Sequence, residues 1–135
     1  MFLIDTNIFL EVMLARTKRT ACIDFLDSVK TGKERATVTD FTLYSIMVIL
    51  DSHRKFRELD RFLRSLSAYR GLTLYVASLE DKLEAVDLAE NNEFDIDDAV
   101  QYVSARSIGA KAIVSLDKDF DGRAIPRRDP SSFPS

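Results

Sequence analysis

The sequence predicts an α/β fold, a three-layer sandwich whose central, mainly parallel sheet has four to five strands. Short apolar runs alternate with longer amphipathic segments, and this alternation is typical of a parallel sheet with helical crossovers. The chain has 135 residues, of which 46% are hydrophobic and 30% charged, so it is long enough to bury a core and has an ordinary globular composition. We expect one domain over residues 1–125 and an irregular, proline-containing tail over 126–135.

Four short runs are predicted as strands because they are apolar or β-branched and turn or polar residues follow them. In chain order, the predicted strands are 1–4, 35–38, 72–76 and 112–115.

The segments between these runs are predicted as helices because their apolar residues recur at helical spacing. Thr6 or Asn7 is expected to cap the first helix, and Thr39 or Asp40 the third. Residues 55–69 are the clearest example, since their apolar side faces away from a row of arginines. In chain order, the predicted helices are 6–14, the region around 22–29, 40–52, 55–69, 79–91 (with Asn91 or Asn92 as its exit), and a last helix that starts near 97 or 98 and ends at 109.

The composition limits the chemistry of any metal site. Cys22 is the one cysteine and His53 the one histidine, so an internal disulfide is excluded and a zinc site is a poor candidate. A metal would be held by oxygen, which favours Mg²⁺ or Mn²⁺. The net charge of −3 neither indicates nor excludes a nucleic-acid partner. No apolar run approaches the roughly 20 residues that span a bilayer, and no signal peptide is evident, so we expect a cytoplasmic protein without a membrane partner.

Acidic residues stand where predicted strands end and where the last helix begins. Asp5 follows the first strand, and Asp117 and Asp119 follow the fourth, while Asp98 opens the last helix. Each residue alone would be explained as a cap or a turn residue. Because the carboxyl ends of parallel strands share one edge, the four side chains are expected to converge there. Like charges held together usually need a cation, so the pattern suggests metal-assisted phosphodiester chemistry.

The residues around these acids resemble the PIN domain family, especially the short VapC-like toxins of prokaryotic toxin–antitoxin pairs. Leu3-Ile4-Asp5-Thr6-Asn7 is similar to the N-terminal signature of the family. Asp98-Ala99, Gly109 and the run from Ile113 to Phe120 are similar to its C-terminal half, in which a helix that starts with Asp leads to a strand ending in Thr/Ser-x-Asp-x-Asp-Phe. The resemblance covers most of the chain in order and spacing.

This resemblance implies a PIN-like fold and a ribonuclease that cleaves RNA at an acidic Mg²⁺ or Mn²⁺ site. It also implies a homodimer and an antitoxin-like protein partner. The implied catalytic residues and metal ligands are Asp5, Asp98 and Asp117, with Asp119 as a further acid at the metal, and with Asn7 and Ser115 as orienting neighbours. Asp97 remains an alternative to Asp98. Arg16 and Arg19 lie near the predicted sheet edge, where a surface role and a contact with the RNA backbone are about equally supported.

One position departs from the family pattern. Family members usually carry a glutamate in the helix after the second strand, and the matching residue here is Ser45. Asp40 does not replace it, because five residues rotate a helix by roughly 500°. Ser45 therefore keeps a second hypothesis open, a degenerate PIN-like domain that binds RNA or protein without catalysis. A third and weaker alternative is a receiver-type phosphoacceptor domain, in which 46–50 would be a strand and Asp51 the phosphorylated residue.

Overall fold

The computed structural model describes residues 1–91 and 93–134 and contains a five-stranded parallel sheet with helices on both faces. It confirms the predicted α/β sandwich. The strand order is β3-β2-β1-β4-β5, and every neighbouring pair is parallel. The strands are β1 (Phe2–Ile4), β2 (Ala36–Thr39), β3 (Leu72–Tyr75), β4 (Ile113–Val114) and β5 (Arg127–Arg128).

Six α-helices connect and cover the strands, close to the predicted segments. The predicted helix 55–69 is shorter than expected, because its last turn, Leu66–Ala68, is a 3-10 turn. The helices are α1 (Thr6–Met13), α2 (Arg19–Lys30), α3 (Asp40–Ser52), α4 (Phe56–Ser65), α5 (Leu79–Glu90) and α6 (Ile96–Ser107). None of the helices in the described part of the chain is long and apolar enough to cross a membrane.

The two faces of the sheet bury two separate apolar clusters. Successive side chains of a strand point to opposite faces, and β1 follows this rule. Phe2 and Ile4 belong to the larger cluster with α1, α2, α3 and α4, whereas Leu3 belongs to the cluster with α5 and α6. The strands β1 and β4 are therefore apolar on both sides, which explains why their sequences form continuous apolar runs.

The chain reverses its direction of travel across the sheet between β1 and β4. From β1 it moves outward through β2 to β3, then returns to pair β4 with the other side of β1, where Ile4 aligns with Val114. This arrangement is a topological switch point, where ligands of open α/β sheets bind beyond the carboxyl ends of the strands. Asp5 and Ser115, the next residue of each strand, are consequently neighbours.

The C-terminal segment is part of the fold, which corrects the predicted irregular tail over 126–135. Arg127–Arg128 forms β5 on the edge of β4, and the Ile113 N–H donates to the carbonyl of Pro126 at 2.9 Å. Phe133 is buried against Phe2 and Phe25, with ring centroids 5.0 and 4.6 Å away. Aromatic burial fixes the segment to the body of the protein. The predicted limit of the domain at residue 125 stays a prediction, and Ser135 lies outside the described residues.

Local signals set several helix ends. Thr39 caps α3 by accepting from the Thr42 N–H at 3.1 Å, as expected. The cap of α1 is Asp5, and the predicted Thr6 and Asn7 lie inside the helix. Gly109 follows α6 with φ of +68°, a left-handed conformation that glycine adopts without steric cost. The predicted exit of α5 includes Asn92, which lies outside the described residues.

The receiver-type alternative is wrong. Residues 46–51 lie within α3, and Asp51 is an exposed residue near the helix end. An acceptor aspartate of that class has to stand at the end of a buried strand, and Asp51 does not.

Candidate functional site

Asp5 is the buried centre of the switch-point site. It follows β1 directly, is 6% exposed, and accepts four hydrogen bonds. Its Oδ1 accepts from the Thr6 backbone N–H at 2.8 Å and from the Gln101 Nε2 at 3.2 Å. Its Oδ2 accepts from the Ser115 hydroxyl at 2.7 Å and from the Asn7 Nδ2 at 3.2 Å. The carboxylate, which stands at the end of β1, is thus held by donors from α1, from α6 and from the end of β4.

The protonation of Asp5 reflects this burial. Removal from water raises the pKa of the carboxyl above its ordinary 3.8, and the nearby Asp117 charge acts in the same direction. The hydrogen bonds from Ser115, Gln101 and Thr6 oppose the shift because they favour the charged form. A cation close to Asp5 would add to their effect.

Asp98 projects from the first turn of α6 into the same region. Its side chain comes close to those of Asp117 and Asp119, since one carboxylate oxygen of each lies within 4.8 Å of the others. Burial and then the charges of Asp117, Asp97, Asp5 and Asp119 raise the pKa of Asp98 from 3.8 to about 8. Within the described residues no ion pair offsets these charges, so a pKa of about 8 favours the protonated form of Asp98 at neutral pH in the metal-free protein.

The acids of the site have no basic partner within the described residues. None of Asp5, Asp98, Asp117 and Asp119 takes part in an ion pair there. The donor set is made of oxygen alone, and such sets prefer Mg²⁺, Ca²⁺ or Mn²⁺. The residues present therefore fit a hard divalent cation.

A cleft of about 260 Å³ opens over these residues. Asp5, Asn7, Asp98 and Asp117 line it, while Asp119 stands beside Asp98 and Asp117 at its margin. The wall that α3 contributes consists of Phe41, Ser45 and Ile49, which recur at four-residue spacing on one helix face. Ser45 thus faces the site, and α3 contributes no carboxylate to this wall.

Asp97 and Asp98 differ in their exposure and in the acids that lie next to them. Both line the cleft, but Asp97 is exposed whereas Asp98 is 8% exposed. Only Asp98 groups with Asp117 and Asp119, while Asp97 groups with Asp95 and Asp98. Asp98, and not Asp97, therefore belongs to the group of acids at the strand ends.

Arg16 and Arg19 lie apart from the acids. Both are exposed at the bend between α1 and α2, and Arg19 is the first residue of α2. Neither lines the acidic cleft or makes a side-chain hydrogen bond to its acids in the described part of the chain. Any role of theirs would be at the periphery of the site.

Sequence reasoning missed Gln101 and the threonines around it. Gln101 is 1% exposed on α6, and its neighbours are Thr39 and Thr42 of the β2–α3 junction. The Thr42 hydroxyl also pairs with that of Thr6 at 2.9 Å. A signal was present, since Gln101 is a polar residue three positions after Asp98 in an otherwise apolar stretch, and such positions share one helix face.

Comparisons with known proteins agree with this fold. The family model described as PIN domain matches residues 2–125. No match to a curated protein sequence was found. Among solved structures, a toxin–antitoxin complex from Klebsiella pneumoniae is similar with a TM-score of 0.71 and 17% identity, over 96% of this chain and 98% of that chain.

Two further solved structures show the same architecture. The VapC20 toxin of Mycobacterium tuberculosis, which is described as cleaving the sarcin–ricin loop, has a TM-score of 0.73 and 12% identity, over 88% of this chain and 92% of its own. VapBC2 of Rickettsia felis, bound to a DNA fragment from its promoter, has a TM-score of 0.69 and 13% identity, over 95% of this chain and 97% of that chain. At these identities the likeness establishes the fold.

Proposed function

The chain belongs to the PIN domain family, and we propose that it is a metal-dependent endoribonuclease of the VapC toxin type. The observation that carries the proposal is the convergence of Asp98, Asp117 and Asp119 within 4.8 Å, beside the buried Asp5 and without a basic partner in the described chain. A purely structural role would not favour this arrangement, because the repulsion among the carboxylates destabilises the fold.

The proposed metal is Mg²⁺ or Mn²⁺, with Asp5, Asp98 and Asp117 as ligands and Asp119 as a further acid beside them. A divalent ion bound there supplies positive charge to the scissile phosphate and makes an attacking water more acidic. Asn7 and Ser115 fix the orientation of Asp5 through its Oδ2, and Ser115 also accepts from the Asp117 N–H at 2.9 Å. The Ser115 hydroxyl therefore bonds to both Asp5 and Asp117 and fixes the distance between these two proposed ligands.

The substrate would approach the open side of the cleft, where Asp119 is exposed and Asp117 is half-buried. Arg16 and Arg19 are proposed to contact RNA phosphates from the bend between α1 and α2, because their guanidinium groups are exposed and free to reach a bound strand. Such contacts would position the backbone without reading its sequence.

Ser45 favours a second candidate function, a PIN domain that binds RNA or protein without cutting. Its half-buried hydroxyl faces the cleft where family members usually present a carboxylate. A neutral hydroxyl cannot replace that charge, so the metal would be held more weakly than in a complete site.

An antitoxin-like partner and a homodimer belong to the same proposal, as does a cytoplasmic location. Two of the similar structures are toxin–antitoxin complexes, which supports a protein partner. An apolar groove of about 410 Å³ between α3, α5 and α6 supports the homodimer, since large exposed apolar surfaces are typical of interfaces. Its walls include Tyr44 and Val76, which are 61% and 62% exposed. The molar mass in solution would show whether a second copy covers it.

The test is cleavage of a mixed single-stranded RNA pool by the purified protein with Mg²⁺ or Mn²⁺, with a chelator and Asp98→Asn as controls. Cleavage that disappears in both controls would support the nuclease. A protein that binds Mn²⁺ but cuts no RNA with either metal would favour the binding function. Asp81→Asn is a matched variant, because Asp81 occupies the equivalent position of α5 and is equally buried.

A further inference from the structure

Gln101 is a buried amide whose hydrogen bonds connect three parts of the fold beneath the acidic cleft. Its Oε1 accepts from the Thr39 hydroxyl at 2.7 Å. Its Nε2 donates to the Thr42 hydroxyl at 2.8 Å and to Asp5 Oδ1 at 3.2 Å. Both N–H groups and the carbonyl oxygen of the amide therefore have partners.

The orientation of this amide follows from the chemistry of its neighbours. An ionised carboxylate can only accept hydrogen bonds, so the Nε2 has to face Asp5 and the Oε1 has to face Thr39. The Thr42 hydroxyl, which accepts from Gln101, can donate onward to Thr6 Oγ1 at 2.9 Å. The donors and acceptors thus form one consistent network from β2 through α6 to α1, which leaves Gln101 a single arrangement.

The position of Gln101 on α6 relates this network to the metal site. Gln101 lies three residues after Asp98, and residues at that spacing are neighbours on one helix face. A rotation or shift of α6 that moved Asp98 would therefore break the bonds of Gln101 to Thr39, Thr42 and Asp5. The same hydrogen bonds also fix the distance between the start of α6 and the end of β1.

We infer that Gln101 is a positioning residue of the site, which holds Asp5 and the start of α6 so that Asp5 and Asp98 can ligate one divalent cation. This inference rests on the proposed function. Groups that hydrogen-bond to metal ligands orient them, and their loss typically weakens metal affinity by about 10- to 100-fold. In this chain the role matters more because Ser45 leaves α3 without a ligand, so the remaining acids carry the whole site.

The experiment measures Mn²⁺ affinity from the electron paramagnetic resonance signal of free Mn²⁺, beside RNA cleavage kinetics and thermal unfolding. Gln101→Met keeps the length of the side chain and removes its hydrogen bonds. We expect about tenfold weaker Mn²⁺ binding and a lower kcat with little change in KM for RNA. Val103→Ala is the control for general destabilisation. Val103 is as buried as Gln101 and also lies on α6, but it belongs to the apolar cluster of α5 and α6 and not to the hydrogen-bond network of Gln101. The substitution should lower Tm and leave Mn²⁺ affinity unchanged.

A second pair of variants keeps the test decisive if Gln101→Met does not fold. Thr39→Ser retains the hydroxyl that donates to Gln101 and should bind Mn²⁺ as the unmodified protein does, whereas Thr39→Val should weaken binding. Unchanged Mn²⁺ affinity in Gln101→Met, or equal affinities in the two Thr39 variants, would overturn the inference alone. Normal Mn²⁺ binding without RNA cleavage in the unmodified protein would overturn the nuclease alone. Absence of Mn²⁺ binding at millimolar concentration would overturn both.

Discussion

The first turns of α5 and α6 each bury an aspartate in the same place, but the two carboxylates have opposite surroundings. Asp81 is the third residue of α5 and Asp98 the third residue of α6, and each is 8% exposed. Both positions favour a negative charge through the helix dipole. The difference between the two aspartates therefore comes from their neighbours.

Asp81 is surrounded by donors. Its Oδ2 accepts from the Ser78 backbone N–H at 3.0 Å and from the Tyr75 hydroxyl, and its Oδ1 accepts from the Ser107 hydroxyl at 2.7 Å. The Ser78 hydroxyl in turn accepts from the Asp81 N–H, which completes a capping box. Burial alone would raise the pKa of Asp81, but the bonds from Tyr75, Ser78 and Ser107 outweigh it and hold the pKa below 3.8.

Asp98 is surrounded by acids. The N-cap residue before it, Asp95, makes no side-chain cap hydrogen bond. Burial, which contributes most, and then the charges of Asp117 and Asp97 raise the pKa of Asp98 to about 8. Hydrogen bonds from neutral donors stabilise the charged form of the α5 carboxylate, whereas burial and neighbouring acids disfavour the charged form of the α6 carboxylate. At equal helix position and equal exposure, the neighbouring groups therefore distinguish Asp81, which accepts hydrogen bonds, from Asp98, which faces other acids.

The largest expected difference between substitutions of Asp98 and Asp81 is in the rate of RNA cleavage. Asp98→Asn removes a proposed ligand, and since loss of an outer neighbour alone costs about 10- to 100-fold, loss of the ligand should reduce kcat by about 100-fold or more. Asp81→Asn should leave kcat nearly unchanged at a temperature where the variant is folded. Steady-state RNA cleavage checks both variants. Equal losses in the two would mean that Asp98 has no special role.

The next effect concerns the pH dependence of metal-free stability. The folded pKa of Asp98 lies near 8 and its ordinary value is 3.8, so between these values the folded state binds a proton that the unfolded state has released. The contribution of Asp98 to the free energy of unfolding is therefore highest below about pH 4 and falls as pH rises towards 8. Denaturant unfolding with a chelator at several pH values measures this slope.

Substitution of each aspartate should change a different part of the curve of unfolding free energy against pH. Asp98→Asn should flatten the decline between pH 4 and 8. Asp81, whose pKa is lowered, contributes stability that is present above pH 4 and is lost as pH falls further, so Asp81→Asn should affect the acidic limb. A profile in which Asp81→Asn flattens the neutral range would contradict the assignment.

A smaller effect is expected on the free energy of unfolding when Asp81 is replaced. Asp81→Asn leaves the Tyr75 and Ser107 hydroxyls with an altered acceptor and weakens the capping box, so the free energy of unfolding at pH 7 should fall by about 1–3 kcal/mol. Asp98→Asn should cause no such loss and should stabilise the metal-free protein, because folding then no longer requires this carboxyl to stay protonated at a pH where the unfolded chain has released the proton. Thermal unfolding of the two variants with a chelator makes the comparison directly.

The two aspartates also show how far the sequence determines the site. The strands and helices followed from apolar periodicity, and strand ends indicated Asp5 and Asp117, because parallel strands share an edge. The motif Ser78-x-x-Asp81 is a capping-box pattern that sequence can reveal. The sequence also suggested that the acids converge, but the pairing of β4 with β1, which brings the end of β4 beside Asp5, is not encoded in local patterns.

Two other features were beyond the sequence for different reasons. The strand β5 has two residues, Arg127 and Arg128, so it carries no apolar period, and its position is fixed by pairing with β4 and by the burial of Phe133. The role of Gln101 depends on Thr39 and Thr42 meeting α6 across the fold. Contacts of this kind, between residues 59 and 62 positions apart, leave no local signature.

The smallest expected effect adds an acid where the site lacks one. Ser45→Glu places a carboxylate on the cleft wall of α3, and its charge should tighten Mn²⁺ binding by about tenfold, equivalent to about 1.4 kcal/mol. The same charge should raise the pKa of Asp98 further in the metal-free protein, because like charges favour the protonated form. Ser52→Glu is the matched control, since Ser52 is exposed at the far end of the same helix. If Ser45→Glu binds Mn²⁺ no more tightly than Ser52→Glu, the cation does not lie within reach of α3, and the acids of β1, β4 and α6 hold it alone.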